Sequence, residues 1–269
     1  MTGMRDAANV LDRSRSSNAL PRRAGRAEAR RQVVYELISG LSGLALVVFM
    51  WGHMVFVASI LLGTRGFDWI ATAMEDYWIA QPALVGVLIL QLIHAVFAGR
   101  KVPAQLRERR RFFALAKELR ASGKAWSGGE GKDRPHIDSW LWIWQVRTAV
   151  VILVFGSFHL VLMMLNIFSG VLDSPGGVAG IQADISMERT QAGLGWMYLV
   201  LLFAVEFHAG VGLYRLAVKW GVLSRLPRAA LARIEQFLYW TLIGLGLVVL
   251  AVLAGLIPPP LGFLTQAPP

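Results

Sequence analysis

No cysteine occurs among the 269 residues, so the chain can hold no disulfide, no thiolate-ligated iron–sulfur cluster and no thioether-attached haem. Charge is also sparse: Asp, Glu, Lys and Arg make up 16% of the sequence, against about 25% in soluble domains. Acidic residues are the scarcer sign, 17 against 27 Lys and Arg, which leaves a formal net charge of +10. In place of charge the chain has apolar residues, 55% of the total, with a mean hydropathy of +0.52. Gathered into several long uncharged runs, this composition is that of an integral membrane protein. The first 31 residues carry eight Arg and no apolar run, which predicts a basic tail and not a cleaved signal peptide.

Five apolar segments are long enough to span a bilayer, at 33–62, 79–98, 140–167, 195–217 and 237–257. The expected fold class is therefore all-α, an integral membrane bundle of five transmembrane helices filling residues 32–257. It would be flanked by the basic tail 1–31 and a Pro-rich tail, 258–269, expected to be extended or disordered because proline stops the helix. An odd number of spans places the termini on opposite sides. Outside the spans, Lys and Arg number eight in the N-terminal tail, eleven in 100–134 and five in 215–233, with one in each remaining loop. The positive-inside rule then makes the N-terminus and the second and fourth loops cytoplasmic and the C-terminal tail external. The positive charge is thereby a topology signal, not a nucleic-acid footprint. Within the cytoplasmic loop 100–139, residues 103–123 have helical spacing between Pro103 and Gly123, suited to a helix on the membrane or beneath a partner subunit. The first external loop mixes Asp68, Glu75 and Asp76 with Trp69, Tyr77 and Trp78, aromatics of the kind that form an interfacial belt.

Four of the five histidines lie inside apolar segments: His53, His94, His159 and His208, one on each of the first four helices. Only His136 sits in a loop. One intramembrane histidine is explained by an interhelical hydrogen bond. Four, one per helix, point to bis-histidine haem, which needs its ligands in facing pairs from different helices. Depth sorts them: at about 1.5 Å of rise per residue, His94 and His208 lie roughly 9 and 17 Å from the cytoplasmic ends of their helices, and His53 and His159 each roughly 30 Å from theirs. A proximal haem on His94 and His208 and a distal haem on His53 and His159 would form an electron wire across the membrane. Gly52, Gly156 and Gly212 stand within a turn of a ligand, where a missing side chain lets a porphyrin approach or lets helices pack. Ser39 and Ser42 are candidates for hydrogen bonds to haem propionates. Arg215 and Lys219 share a helix face with His208 and could pair with propionates while anchoring the helix end. Glu206, two residues before His208 and on the opposite face, costs on the order of 3 kcal/mol at mid-bilayer and needs a function or a partner there.

The motifs FMWGHMVFVASILLG (49–63), GSFHLVLMM (156–164) and YLVLLFAVEFHAGVGLYRLAVKWG (198–221) resemble the five-helix, dihaem cytochrome b subunit of succinate:quinone oxidoreductases, menaquinol:fumarate reductases in particular. The resemblance runs over most of 33–220. It implies two b haems, on His53 with His159 and on His94 with His208. It also implies Glu75 as the acid of a menaquinol site near the distal haem, with Asp76 the competitor, and Glu206 as part of a transmembrane proton path. Trp142 and Lys219 match positions near propionates, whereas Ser39 and Gly40 stand where a glutamine–serine pair is expected. The implied protein is a multi-pass anchor in the bacterial cytoplasmic membrane. It would pass electrons between menaquinone and a flavoprotein and iron–sulfur pair docked on the basic cytoplasmic face, in a complex with room to dimerise as heterotrimers. A dihaem anchor for another dehydrogenase, a haem-free transporter and a purely structural anchor are the competing readings of the residues.

Overall fold

A chain crossing hydrocarbon must satisfy its backbone internally, and a helix does so within one segment. The structure, a computed structural model describing residues 22–121, 137–169, 182–221 and 227–265, is accordingly helical, with no strand among the described residues. Helix α1, Arg22–Ala58, runs into a 3-10 turn, Ser59–Leu62. A short external helix α2, Thr64–Asp76, leads to α3, Ala80–Gly99, and α4, Val102–Ala121. Helix α5, Ile137–Val151, continues through a π-helical turn, Ile152–Gly156, into α6, Ser157–Ser169. Helix α7, Gln182–Arg189, passes through a second π turn, Thr190–Leu194, into α8, Gly195–Trp220, and α9 is Arg228–Leu253. Five of these stretches are long and apolar enough to cross a membrane.

Several boundaries differ from the sequence expectation for physical reasons. Helix α1 begins inside the basic tail, where Glu28 accepts hydrogen bonds from Arg31 and Gln32 at 2.6 and 2.9 Å, three and four residues on, the spacing at which helical side chains meet. The first external loop is largely helical because α2 buries Phe67 and Ala71 against a cluster of Ile60, Ala183, Val249, Val252 and Leu253. Helix α2 ends with the amides of Trp78 and Ile79 donating to the carbonyls of Glu75 and Met74, a Schellman pattern that places Trp78 at a left-handed φ of 54°. Residues 182–189 of the second external loop form α7.

The Pro-rich tail is a correction. Far from being extended or disordered, its residues 261–265 fold back on the turn after α1. Leu261 N–H donates to the Leu61 carbonyl at 2.9 Å and the Thr265 hydroxyl to the Leu62 carbonyl at 2.6 Å. Prolines 258–260 bar a helix but not a reversal, and carbonyls at a helix end attract donors. The linker at 122–136 with His136, and most of the basic tail, lie outside the described residues.

Helix α1 packs chiefly on α3, α8 on α5 and α9, and α6 on α3, so that four spans enclose a common interior, while α9 lies against α8 and α1 and reaches the cavity wall with Gly246, Val249, Leu250 and Leu253. That interior is not filled by side chains. A cavity of about 1500 Å³, lined by all four enclosing spans, runs through it.

Candidate functional site

Each enclosing span contributes one histidine to the cavity wall: His53 from α1, His94 from α3, His159 from α6 and His208 from α8. The structure brings them together in two pairs. The ring centres of His94 and His208 are 6.3 Å apart and those of His53 and His159 are 6.1 Å apart. Two imidazoles bound to one metal ion from opposite sides, each at about 2.0 Å and each with its ring centre roughly 1.1 Å further back, have centres close to 6.3 Å apart. Both gaps therefore fit one ion on a two-histidine axis. No group of three or more His, Cys, Asp or Glu assembles among the described residues, so an ion in either gap would take its remaining ligands from a non-protein group. The cavity volume also exceeds the roughly 300–1,000 Å³ of a pocket for a single small molecule.

The rings nearer the basic end are fixed by hydrogen bonds. His94 Nδ1 donates to the Ser39 carbonyl at 3.1 Å, with the Ser42 hydroxyl also 3.2 Å away, and His208 Nδ1 donates to the Gln145 carbonyl at 3.0 Å. An imidazole whose Nδ1–H is given to a carbonyl presents the lone pair of Nε2, the arrangement that orients a metal-ligating histidine. Ser39 and Ser42 thus lie behind the His94 ring, on α1. The approach of α1 depends on glycine: a Cβ at Gly43 would come within 2.8 Å of His94 Cε1, and one at Gly40 within 2.5 Å of the Trp220 ring.

The outer pair is held by packing. His53 lies between Phe49 and Phe56, with ring centres 6.0 and 6.3 Å away, and His159 stands edge-on to Tyr198 at 5.4 Å. His159 Nδ1 is buried without a hydrogen-bond partner. The π-helical turn Ile152–Gly156 sits immediately before this segment and shifts the register of the helix face that carries His159.

The remaining predicted residues divide between the two ends. Trp142 is buried in the cavity wall. Arg215 donates to the Gln145 side chain at 2.9 Å. Lys219 is ion-paired with Glu36, which Lys101 also engages, and Glu36 itself lines the cavity mouth. Glu206 is 5% exposed and borders the cavity. At the outer end Glu75 is half-buried on the last turn of α2, between Met74, which lines the cavity, and the exposed Asp76.

Three residues escaped the sequence reading. Gln145, one turn from Trp142, holds His208 through its carbonyl and Arg215 through its amide oxygen; the i, i+3 spacing to Trp142 was the signal. Glu36 falls within the first apolar segment, 33–62, and was passed over there. Arg189 stood in a presumed loop; its guanidinium lines the cavity, Nη1 meets Met163 Sδ at 3.8 Å, and Nη2 is buried with no partner. A buried guanidinium nitrogen without an acceptor is suited to receive a carboxylate.

Outside the spans, Asp68 of α2 accepts the Ala183 amide at 2.8 Å at the start of α7. Burial raises the pKa of its carboxyl, the Ala183 amide lowers it, nearby Asp184 raises it further and the Gln182 amide lowers it, with a net upward shift.

Comparison with known proteins matches residues 129–255 to the model of the succinate dehydrogenase/fumarate reductase transmembrane subunit family. The chain is 34% identical over 222 residues to the fumarate reductase cytochrome b subunit of Wolinella succinogenes, covering 77% of this chain and 76% of that protein. It is 30% and 29% identical over 220 residues to the proteins of the same name from two Helicobacter pylori strains, J99 and 26695, covering 79% of this chain and 76% of each.

Proposed function

The chain belongs to the succinate dehydrogenase/fumarate reductase transmembrane subunit family, and from that premise we propose that it is the electron-conducting membrane anchor of a menaquinol:fumarate reductase or succinate:menaquinone reductase. The observation that carries the reading is the pair of histidine couples with centres 6.3 and 6.1 Å apart along one cavity. His94 with His208 would hold one b haem and His53 with His159 a second. Bound there, the haems supply reversible one-electron transfer.

The chain's own residues do the rest. The Ser39 and Gln145 carbonyls keep the Nδ1 protons of His94 and His208, so that Nε2 faces the metal. At the basic end Arg215, Lys219 and Trp142 would meet the carboxylates or edge of the inner haem, with Lys219 exchanging Glu36 for them. Arg189, with its partnerless Nη2, is placed for a carboxylate of the outer one. Menaquinol oxidation releases two electrons and two protons, and Glu75 would accept a proton from a quinol hydroxyl as general base at the outer end. Glu206, buried beside the cavity, would carry protons inward from there. Succinate and fumarate chemistry belongs to a flavoprotein and an iron–sulfur subunit, since a chain without cysteine holds no thiolate cluster. These partners would dock on the Lys- and Arg-rich face, the cytoplasmic side of the bacterial inner membrane, with the C-terminus outside.

The test is a reduced-minus-oxidised spectrum of the purified complex with haem quantitation. Two b haems per chain, reduced by a menaquinol analogue and reoxidised by fumarate, sustain the reading. A folded preparation without haem, or with haem that quinol does not reduce, refutes it.

A further inference from the structure

From Pro82 to Gly99 helix α3 carries only two polar side chains, His94 and, one turn before it, Gln91. Leu84, Val87, Gln91 and His94 follow one another at helical spacing along the cavity wall, so Gln91 interrupts an apolar stripe that leads to a ligand position. Its amide nitrogen donates to the Ser157 hydroxyl at 3.2 Å. Ser157 stands on α6, two residues before His159, and lies behind the cavity wall, whereas Gln91 is part of it. The bond thus turns the amide NH2 group away from the cavity. Oε1 is left as the polar atom on the cavity side, with no protein donor to it among the described residues.

The amide lies between the two histidine pairs. His159 stands against Tyr198, ten residues from His208 on α8, and Gly43, whose Cβ would meet the His94 ring, is ten residues from His53 on α1. At about 1.5 Å per residue both counts separate the pairs by roughly 15 Å along the bundle. On the same scale Gln91 is about 4.5 Å outward of His94, and Ser157 about 3 Å inward of His159. Their bond therefore ties a ligand helix of one pair to a ligand helix of the other, within the stretch that separates the pairs. An interhelical hydrogen bond accounts for the amide nitrogen. It does not account for the oxygen, which presents the negative end of a carbonyl dipole to an apolar space of low dielectric, where a dipole acts strongly on nearby charge.

We propose that Gln91 is an electrostatic tuning residue of the electron path: Oε1, held toward the cavity by Ser157, favours the oxidised, more positive state of a one-electron carrier at the histidine pairs and so lowers its reduction potential. The environment of a haem sets its potential through such dipoles and hydrogen bonds. No bond at Gln91 forms or breaks; the residue biases where the electron rests between quinol and the partner subunits. The proposal rests on the reading of the chain as a dihaem conduit.

The experiment is a potentiometric titration of the complete complex, followed in the b-haem absorption band. It compares unaltered protein with Q91M, which keeps the length of the side chain without its dipole. Expected for Q91M are two haems per chain, full co-purification of partner subunits and, for at least one of the two haem components, an oxidised-to-reduced ratio at fixed potential that is lower by threefold or more. That is a midpoint raised by at least about 28 mV, at 59 mV per decade for one electron. Midpoints that stay in place or fall in Q91M, with both haems bound, overturn the proposal and leave the conduit reading standing. Should Q91M lose a haem, S157A decides, because it releases the amide nitrogen and with it the orientation of Oε1. A raised midpoint with both haems bound then sustains the proposal; unchanged midpoints, or loss of haem there too, reduce the bond to a structural tie and overturn it. An unaltered complex without two b haems refutes the conduit reading, and the proposal with it.

Discussion

Replacing Gly43 by alanine adds one methyl group to α1, at the position where a Cβ meets His94 Cε1 at 2.8 Å and Nδ1 at 3.2 Å. Carbon atoms rest at about 3.5–4.0 Å, so the ring must move by more than half an ångström or α1 must withdraw. Either response strains the bonds from His94 Nδ1 to the Ser39 carbonyl and from His94 to Ser42. Overpacking of this kind costs about 1–3 kcal/mol, and the loss of one hydrogen bond about 1 kcal/mol. At 1.4 kcal/mol per decade, the combined roughly 2–4 kcal/mol weakens binding of the group between His94 and His208 by about 30- to 700-fold. The outer pair has no contact with Gly43 and should keep its haem. The assay is haem quantitation per polypeptide in G43A, with a haem titration of the stripped protein, and it should give a value moving from two toward one. Gly86 of α3, outside the cavity wall, has nothing within 4 Å of its would-be Cβ, so G86A is the matched control and should retain two. If G43A keeps two haems at unaltered affinity, the account of how α1 sets the His94 ring is wrong.

Single replacement of each histidine should sort the spectrum into two components: H94A and H208A should lose one, H53A and H159A the other, and a variant that mixes the pairs would break the assignment. R189Q should weaken binding at the His53–His159 pair by roughly tenfold or more, the scale of a charge-assisted hydrogen bond at about 1.5–3 kcal/mol, without touching the His94–His208 component; equal loss from both would argue for a general structural role. For Asp68 the sign follows from its raised pKa: the folded state holds the proton more tightly than the unfolded chain, so its contribution to stability is fully present below the unfolded value near 3.8 and is lost as pH rises through the folded value. D68N should therefore match the parent in thermal stability at low pH and gain on it as pH rises past that window, and a difference that shrinks over the same range would refute this. Truncation after residue 260 removes the two hydrogen bonds that Leu261 and Thr265 give to the Leu61 and Leu62 carbonyls, worth about 1 kcal/mol each, and should lower the melting temperature by several degrees; an unchanged value would mean the tail does not hold the turn.

Much of the architecture was legible because hydrocarbon imposes simple demands on a chain. Uncharged runs of about 20 residues must be helices, and the asymmetric distribution of Lys and Arg gives an orientation. What was not legible lies where helices meet. The fourth span shows this: its apolar run starts at Gly195, but the helical stretch reaches back to Gln182 through a π turn in which Gly193 adopts φ 112°, and that brings Arg189 into the cavity. A short polar segment followed by a glycine reads as loop until tertiary packing on Asp68 and the cluster around Ile60 holds it in place. The C-terminal tail failed for the same reason in reverse, since the carbonyls that fold it back come from residues 200 positions earlier in the chain.

By itself, then, the sequence determined that this is a five-span helical membrane protein without thiolate chemistry, and that each of four spans carries one histidine at a definite depth. Depth along a helix is a matter of counting residues, and counting needs no partner. Only the tertiary structure decided how close the rings of each pair come, which nitrogen of His94 and His208 is left free, and that Glu36, Gln145 and Arg189 line the cavity. Those properties depend on the rotation of each helix about its axis and on small residues that set how closely helices approach. Rotation and approach are fixed by contacts between segments far apart in the chain.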